Sequence, residues 1–132
     1  EGKDLAAAVK DCELALKLKP RSSVALDSRA LVHLRTGRNR LALEDYSSSL
    51  TWHPGGTVAL FGRGVAEFRL GHMTAARKDL SLARRNDPEI DDIFIMVGVL
   101  EAGCHDGKGT CSLPEDFRAA PQTGSGYLSV SF

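Results

Sequence analysis

The sequence predicts an all-α protein: an α-α superhelix in which antiparallel helix pairs stack as a solenoid, ending in an irregular C-terminal tail. Three observations predict it. First, marker residues recur at a period of 34: Pro20, Pro54 and Pro88; Gly37 and Gly71; Gly64 and Gly98; Ala8, Ala42 and Ala76; Asp11, Asp45 and Asp79; Arg29 and Arg63. A fixed period of this length is the signature of stacked helical units. Second, each period holds two short stretches of helical apolar spacing either side of a glycine, as in Thr57 to Pro88. Third, residues 103–132 lose that period and become rich in Gly, Ser and Pro.

The elements follow in order. Residues 4–19 form a helix with Leu5, Ala8, Val9, Cys12, Ala15 and Leu16 on one stripe. Asp4 is its candidate N-cap, and Lys17 and Lys19 suit its C-terminal dipole. This is the second half of a repeat, 1–20, without its first helix. Together with the absent initiator methionine, it predicts a piece of a longer chain. In the repeat 23–54, Ser22 or Ser23 caps a helix that runs to about Thr36, Gly37 breaks it, and a second helix spans 39–52. In the repeat 57–88, Thr57 caps a helix that ends at Gly71, and its partner spans about 74–85. A last helix, 91–102, carries Asp91 and Asp92 in its first turn, where negative charge is favourable. The array therefore occupies 1–102, and the tail, 103–132, is expected to be flexible or loosely docked. Within the tail, Pro114 to Ala120 can make a short helix. Tyr127 to Phe132 alternate like a strand. Helices of ~14 residues are marginal alone, so stability must come from stacked neighbours.

The chain resembles the tetratricopeptide repeat family. The matching residues are Leu26, Ala30, Gly37, Ala42, Tyr46 and Pro54 in one repeat and Leu60, Gly64, Gly71, Ala76, Ala83 and Pro88 in the next, with Ala8, Ala15 and Pro20 in the half repeat. The chain departs from the family at Leu26 and Leu60, where an early aromatic is common. It departs again at Arg29 and Arg63, where leucine is commoner, although Arg63-Gly64 resembles a known variant. The resemblance implies a concave groove lined by first helices that binds an extended or helical peptide. Carried over, the lining residues are Val24, Asp27, Leu31, Leu34 and Arg35, then Val58, Phe61, Val65, Phe68 and Arg69. Phe61, Val65 and Phe68 share one helical face. Either they bind a peptide, at ~1.5–3 kcal/mol per buried aromatic, or they fill the inside of a tight superhelix. Some family members clamp a C-terminal carboxylate with lysine, asparagine and arginine. This chain has Asp27, Leu31, Gly62, Asp92 and Met96 at those positions, so an apolar or mixed peptide is the expected ligand. A further expectation places the tail back in the groove as a competitor.

Composition narrows the function. Lys and Arg total 17 and so do Asp and Glu, giving no basic footprint for nucleic acid. No apolar run reaches membrane-spanning length. Three cysteines argue no disulfide scaffold, which leans toward a reducing, cytoplasmic compartment. Cys12 reads as a small buried hydrophobe. Cys104, His105, Asp106 and Cys111 are metal-ligand types, but their spacing does not fit a zinc site, so no metal and no cofactor is expected. GCHDGKGT, residues 103–110, does not fit a phosphate loop. His33, His53 and His72 read as surface or packing residues. No nucleophile, base and orienting group cluster, so the chain is expected not to be an enzyme. Arg29 and Arg63 on first helices, with Asp11, Asp45 and Asp79 on second helices, read as ion pairs between neighbouring helices rather than an acidic-ligand site. The expected function is binding of a protein or peptide partner. The alternatives are a structural spacer or a non-catalytic appendage of a larger, possibly enzymatic, protein.

Overall fold

In a computed structural model of the chain, residues 2–101, 103–106 and 111–118 are described. They are helical, with no strand among them, and divide into two compact units, residues 1–90 and 91–132.

The first unit contains α1 (Gly2–Leu18), α2 (Ser23–Arg35), α3 (Asn39–Trp52), α4 (Thr57–Arg69) and α5 (Met73–Asn86). Each helix packs against the next in sequence, and α2 also touches α4. The helix ends follow local chemistry. Ser22 Oγ accepts the Ala25 N–H at 3.2 Å and caps α2. Asp4 lies inside the first turn of α1 instead of capping it, and the cap of α4 is Gly56, with Thr57 the first helical residue. Helices α2 and α4 stop alike. Gly37 and Gly71 take φ +76° and +85°. Arg38 N–H reaches the His33 carbonyl and His72 N–H the Glu67 carbonyl, both at 2.8 Å. This closing turn uses the left-handed conformation that glycine adopts without steric cost.

The interfaces are close because small residues line them. Ala30, Ala42, Ala59, Ala66, Ala76 and Ala83 are fully buried. Gly62 faces the Tyr46 ring so closely that a Cβ there would overlap it. A Cβ on Gly64 would lie 2.8 Å from Leu80 Cγ. These two glycines let α4 approach α3 on one side and α5 on the other.

The second unit begins within α6 (Ile90–Met96). This helix ends well short of residue 102. Gly98 adopts φ +81°, and the Val99 N–H bonds the Phe94 carbonyl at 2.9 Å, the same closing turn as at Gly37 and Gly71. A one-turn helix, α7 (Gly103–Asp106), follows, and a 3-10 turn spans Glu115–Phe117. Its N-terminal neighbour is Pro114, so the short helix expected near there is a single turn. Leu113 and Phe117 are buried. Arg118 Nε donates to the Leu113 carbonyl at 2.6 Å. The expected strand at 127–132 and the expected return of the tail to the groove lie outside the described residues.

Gly62→Ala should lower stability by about 1–3 kcal/mol through overpacking. Gly55→Ala, where an added Cβ meets nothing within 4 Å, should stay within about 0.5 kcal/mol of wild type. Urea unfolding midpoints of the two variants test the contrast.

Candidate functional site

The charged ladder closes in space. Arg29 on α2 grips Asp45 on α3 with two parallel bonds, Nε to Oδ2 and Nη2 to Oδ1, both 2.8 Å. Arg63 on α4 repeats this with Asp79 on α5, at 2.7 and 3.1 Å. Asp45 and Asp79 are only 7% and 4% exposed. A carboxylate at that depth needs a paired, hydrogen-bonded counter-charge, and the arginine fork supplies both. The ion-pair reading of the sequence therefore holds in this geometry.

A third residue joins each clasp, and sequence reasoning missed it. His33 is buried with Nε2 3.7 Å from Asp45 Oδ2. One period later stands Glu67, buried beside Asp79 and Arg63. The 34-residue register could have found both, because 33 and 67 are as far apart as 29 and 63. Burial holds the His33 imidazole below its ordinary value, with Asp45 opposing. The Glu67 carboxyl is pushed up to about 8, chiefly by burial, then by a hydrogen bond to Asp79 and its charge, against the pull of Arg63. At neutral pH the second clasp thus holds a protonated carboxyl beside a carboxylate, sharing one guanidinium. His33 Nδ1 and Glu67 Oε1 lack hydrogen-bond partners among the described residues.

The residues assigned to a groove separate into two sets. Val24 is 77% exposed and Val58 38%. Arg35 is exposed, and Asp27, Leu31, Phe68 and Arg69 are half-buried. Leu34, Phe61 and Val65, in contrast, are at most 1% exposed and cannot line an accessible groove. The Arg84 guanidinium of α5 sits over the Phe61 ring, 5.5 Å from its centroid. For these three the packing alternative applies. Arg69 Nη1 donates to the Leu34 carbonyl at 2.9 Å and lies 3.4 Å from Asn39 Oδ1, tying the end of α4 to the end of α2 and the start of α3. Asp27 is raised by burial, against a hydrogen bond from Ser49.

The cysteines need a correction. Their count argues no disulfide scaffold, yet Cys104 and Cys111 form a disulfide with a Cα–Cα distance of 4.9 Å. A loop of this length closes at little entropic cost, which the count does not register. The lean toward a reducing compartment loses its premise. Glu101 Oε2 accepts the Ser112 N–H at 2.8 Å, and its carboxylate and the two sulfurs lie within 4.8 Å of one another. Disulfide sulfurs are not thiolates, so this group offers a metal one ligand rather than three. The side chains of His105 and Asp106 lie outside the described residues. Cys12 is half-buried, not buried, and desolvation raises its thiol further from ionisation.

No family model, curated protein or solved structure matches the chain. Among the described residues, no helix is long and apolar enough to cross a membrane.

Arg63→Ala leaves Asp79 buried without its fork and should cost about 1–3 kcal/mol. The Arg63→Ala/Asp79→Ala double variant should lose less than the sum of the single losses, as a double-mutant cycle by chemical denaturation would read out. Glu67 binds a proton in the folded state that it releases, when unfolded, near the ordinary value of 4.5. The Glu67 contribution to stability should therefore fall as pH rises from about 5 to about 8, opposed below the ordinary histidine value of 6.5 by His33, whose lowered value favours folding as the imidazole loses its proton. Glu67→Gln should flatten that slope, measured as Tm against pH.

Proposed function

We propose that residues 1–90 are a tetratricopeptide-like stack acting as a non-catalytic protein-interaction module, whose ligand is a peptide or protein segment held along α2 and α4. One observation carries the reading: α2 and α4 lie side by side, tied by Arg69 to the Leu34 carbonyl, while Val24 and Val58 project with 77% and 38% exposure. The 34-residue register, the shared closing turns at Gly37 and Gly71 and the two Arg–Asp clasps support the repeat assignment. The binding face in this reading is shallower than a fully lined groove. It consists of Val24, Asp27, Leu31, Arg35, Val58, Phe68 and Arg69. A mixed apolar and polar segment suits it, because carboxylate, aliphatic and guanidinium groups share one surface.

The burial of Leu34, Phe61 and Val65 favours a second reading, a spacer whose apolar stripe serves packing alone. A displayed-peptide selection against the immobilised chain separates the two. Selected peptides should bind Val24→Asp/Val58→Asp at least about tenfold more weakly than wild type, with unchanged circular dichroism. Equal binding to both proteins would leave the spacer reading in place.

A further inference from the structure

Glu101, Cys104 and Cys111 converge within the second unit. A carboxylate oxygen of Glu101 and the two sulfurs lie within 4.8 Å of one another. Glu101 Oε2 is 3.4 Å from Cys104 Sγ. Each of the three is also held by contacts other than the S–S bond. Cys104 sits on α7, 1% exposed, with its N–H on the Glu101 carbonyl at 2.9 Å. Cys111 Sγ accepts the Leu113 N–H at 3.3 Å, and Leu113 is buried. Glu101 Oε2 accepts the Ser112 N–H at 2.8 Å, which ties the carboxylate to the residue after Cys111. Opening the disulfide therefore leaves two thiols and a carboxylate anchored in one place. The sequence separation of the cysteines is 7, wider than the spacing of paired zinc cysteines, yet their Cα atoms are 4.9 Å apart.

We propose that Glu101, Cys104 and Cys111 are the ligands of a redox-gated zinc site, closed while the disulfide is intact and opened by its reduction. A dithiol reductant supplies two electrons and two protons. The Cys104–Cys111 S–S bond breaks, two thiols form, and the reductant closes its own disulfide. Zn²⁺ then binds both sulfurs as thiolates, and the two thiol protons leave to water. The geometry suits this ion. With Zn–S of about 2.3 Å and Zn–O of about 2.0–2.2 Å, a tetrahedral site has S···O edges of about 3.5 Å and an S···S edge of about 3.8 Å. Glu101 and Cys104 already stand at the first of these separations. The second asks the sulfurs to part once the bond is cut, which the half-buried Cys111 side chain does by turning about its Cα–Cβ bond. Glu101 is exposed, so the fourth position opens to water. Two soft thiolates select zinc over magnesium or calcium. The Leu113 N–H orients the Cys111 sulfur as outer donors do at metal sites. Without a cation, a carboxylate this near a sulfur disfavours the thiolate by like-charge repulsion. The reduced state therefore gains most from a bound cation. The site belongs to the second unit and is independent of the reading above.

The probe is Zn²⁺ itself, titrated into the 132-residue chain in competition with a chromogenic chelator. The chain carries Cys12→Ser, so that its only thiols are those of the site, and is prepared in disulfide and reduced forms. The reduced chain should take up one zinc per chain, and the disulfide form should bind at least about tenfold more weakly. Co²⁺ in place of zinc should give thiolate-to-metal charge-transfer absorption in the reduced form alone. Cys111→Ser should weaken uptake by the reduced chain about tenfold or more. Glu101→Gln, which keeps an acceptor for the Ser112 N–H, should do the same. No uptake by the reduced chain, equal uptake by both forms, or uptake indifferent to Cys111→Ser or to Glu101→Gln overturns the proposal.

Discussion

Two buried carboxylates set the terms on which this chain folds. Asp45 and Asp79 sit in the seams between paired helices, where an unpartnered negative charge would cost several kcal/mol. Each is tolerable only when its arginine arrives from the neighbouring helix with both nitrogens aligned. That requirement fixes more than charge balance. A bidentate fork tolerates little sliding, so it sets the axial register of α2 on α3 and of α4 on α5. Once the register is set, Ala30 is fully buried and Gly64 meets Leu80, and the helices can close to small-residue distance. The apolar contacts supply most of the stabilisation. The clasp selects which contacts form.

The third member of each clasp shows how one scaffold position accepts different chemistry. His33 and Glu67 occupy equivalent places, one a base kept neutral by burial and the other an acid kept neutral by burial. Neutrality is what the site demands. A second full negative charge beside Asp79, or a second full positive charge beside Arg29, would unbalance a pair that is already closed. The two repeats thus reach the same electrostatic state from opposite sides of the titration scale.

Much of this was legible in the sequence, for a physical reason. Proline breaks, left-handed glycines and charged partners are each dictated by local geometry, so they recur with the period and can be read by subtraction. The depth of a side chain is a collective property and cannot be read that way. Phe61 and Val65 fall on a face that helical periodicity marks as separate from the core stripe of Leu60 and Gly64, yet both are buried, as is Leu34 one repeat earlier. Gly62 looks incidental in the sequence, because its reason is the ring of Tyr46 on another helix. The Cys104–Cys111 disulfide escapes because counting cysteines says nothing about how near a short loop brings two of them. Gly98 misleads in a subtler way. By register it repeats Gly64, a close-packing glycine, but by backbone it repeats Gly37 and Gly71, which end helices.

The early stop at Gly98 bears on how such a chain could be lengthened. Helices α2 and α4 have 13 residues each, whereas α6 has 7. The arginine series 29 and 63 continues to Val97, which has no fork to offer an aspartate. Translational symmetry is therefore already broken by residue 98. A whole 34-residue module could be spliced in at the break near Pro54, because both sides of that junction use the same Arg–Asp clasp. A module appended beyond Gly98 would meet a helix with neither the length nor the cation to receive it. The array has interchangeable middle parts and a non-interchangeable finish.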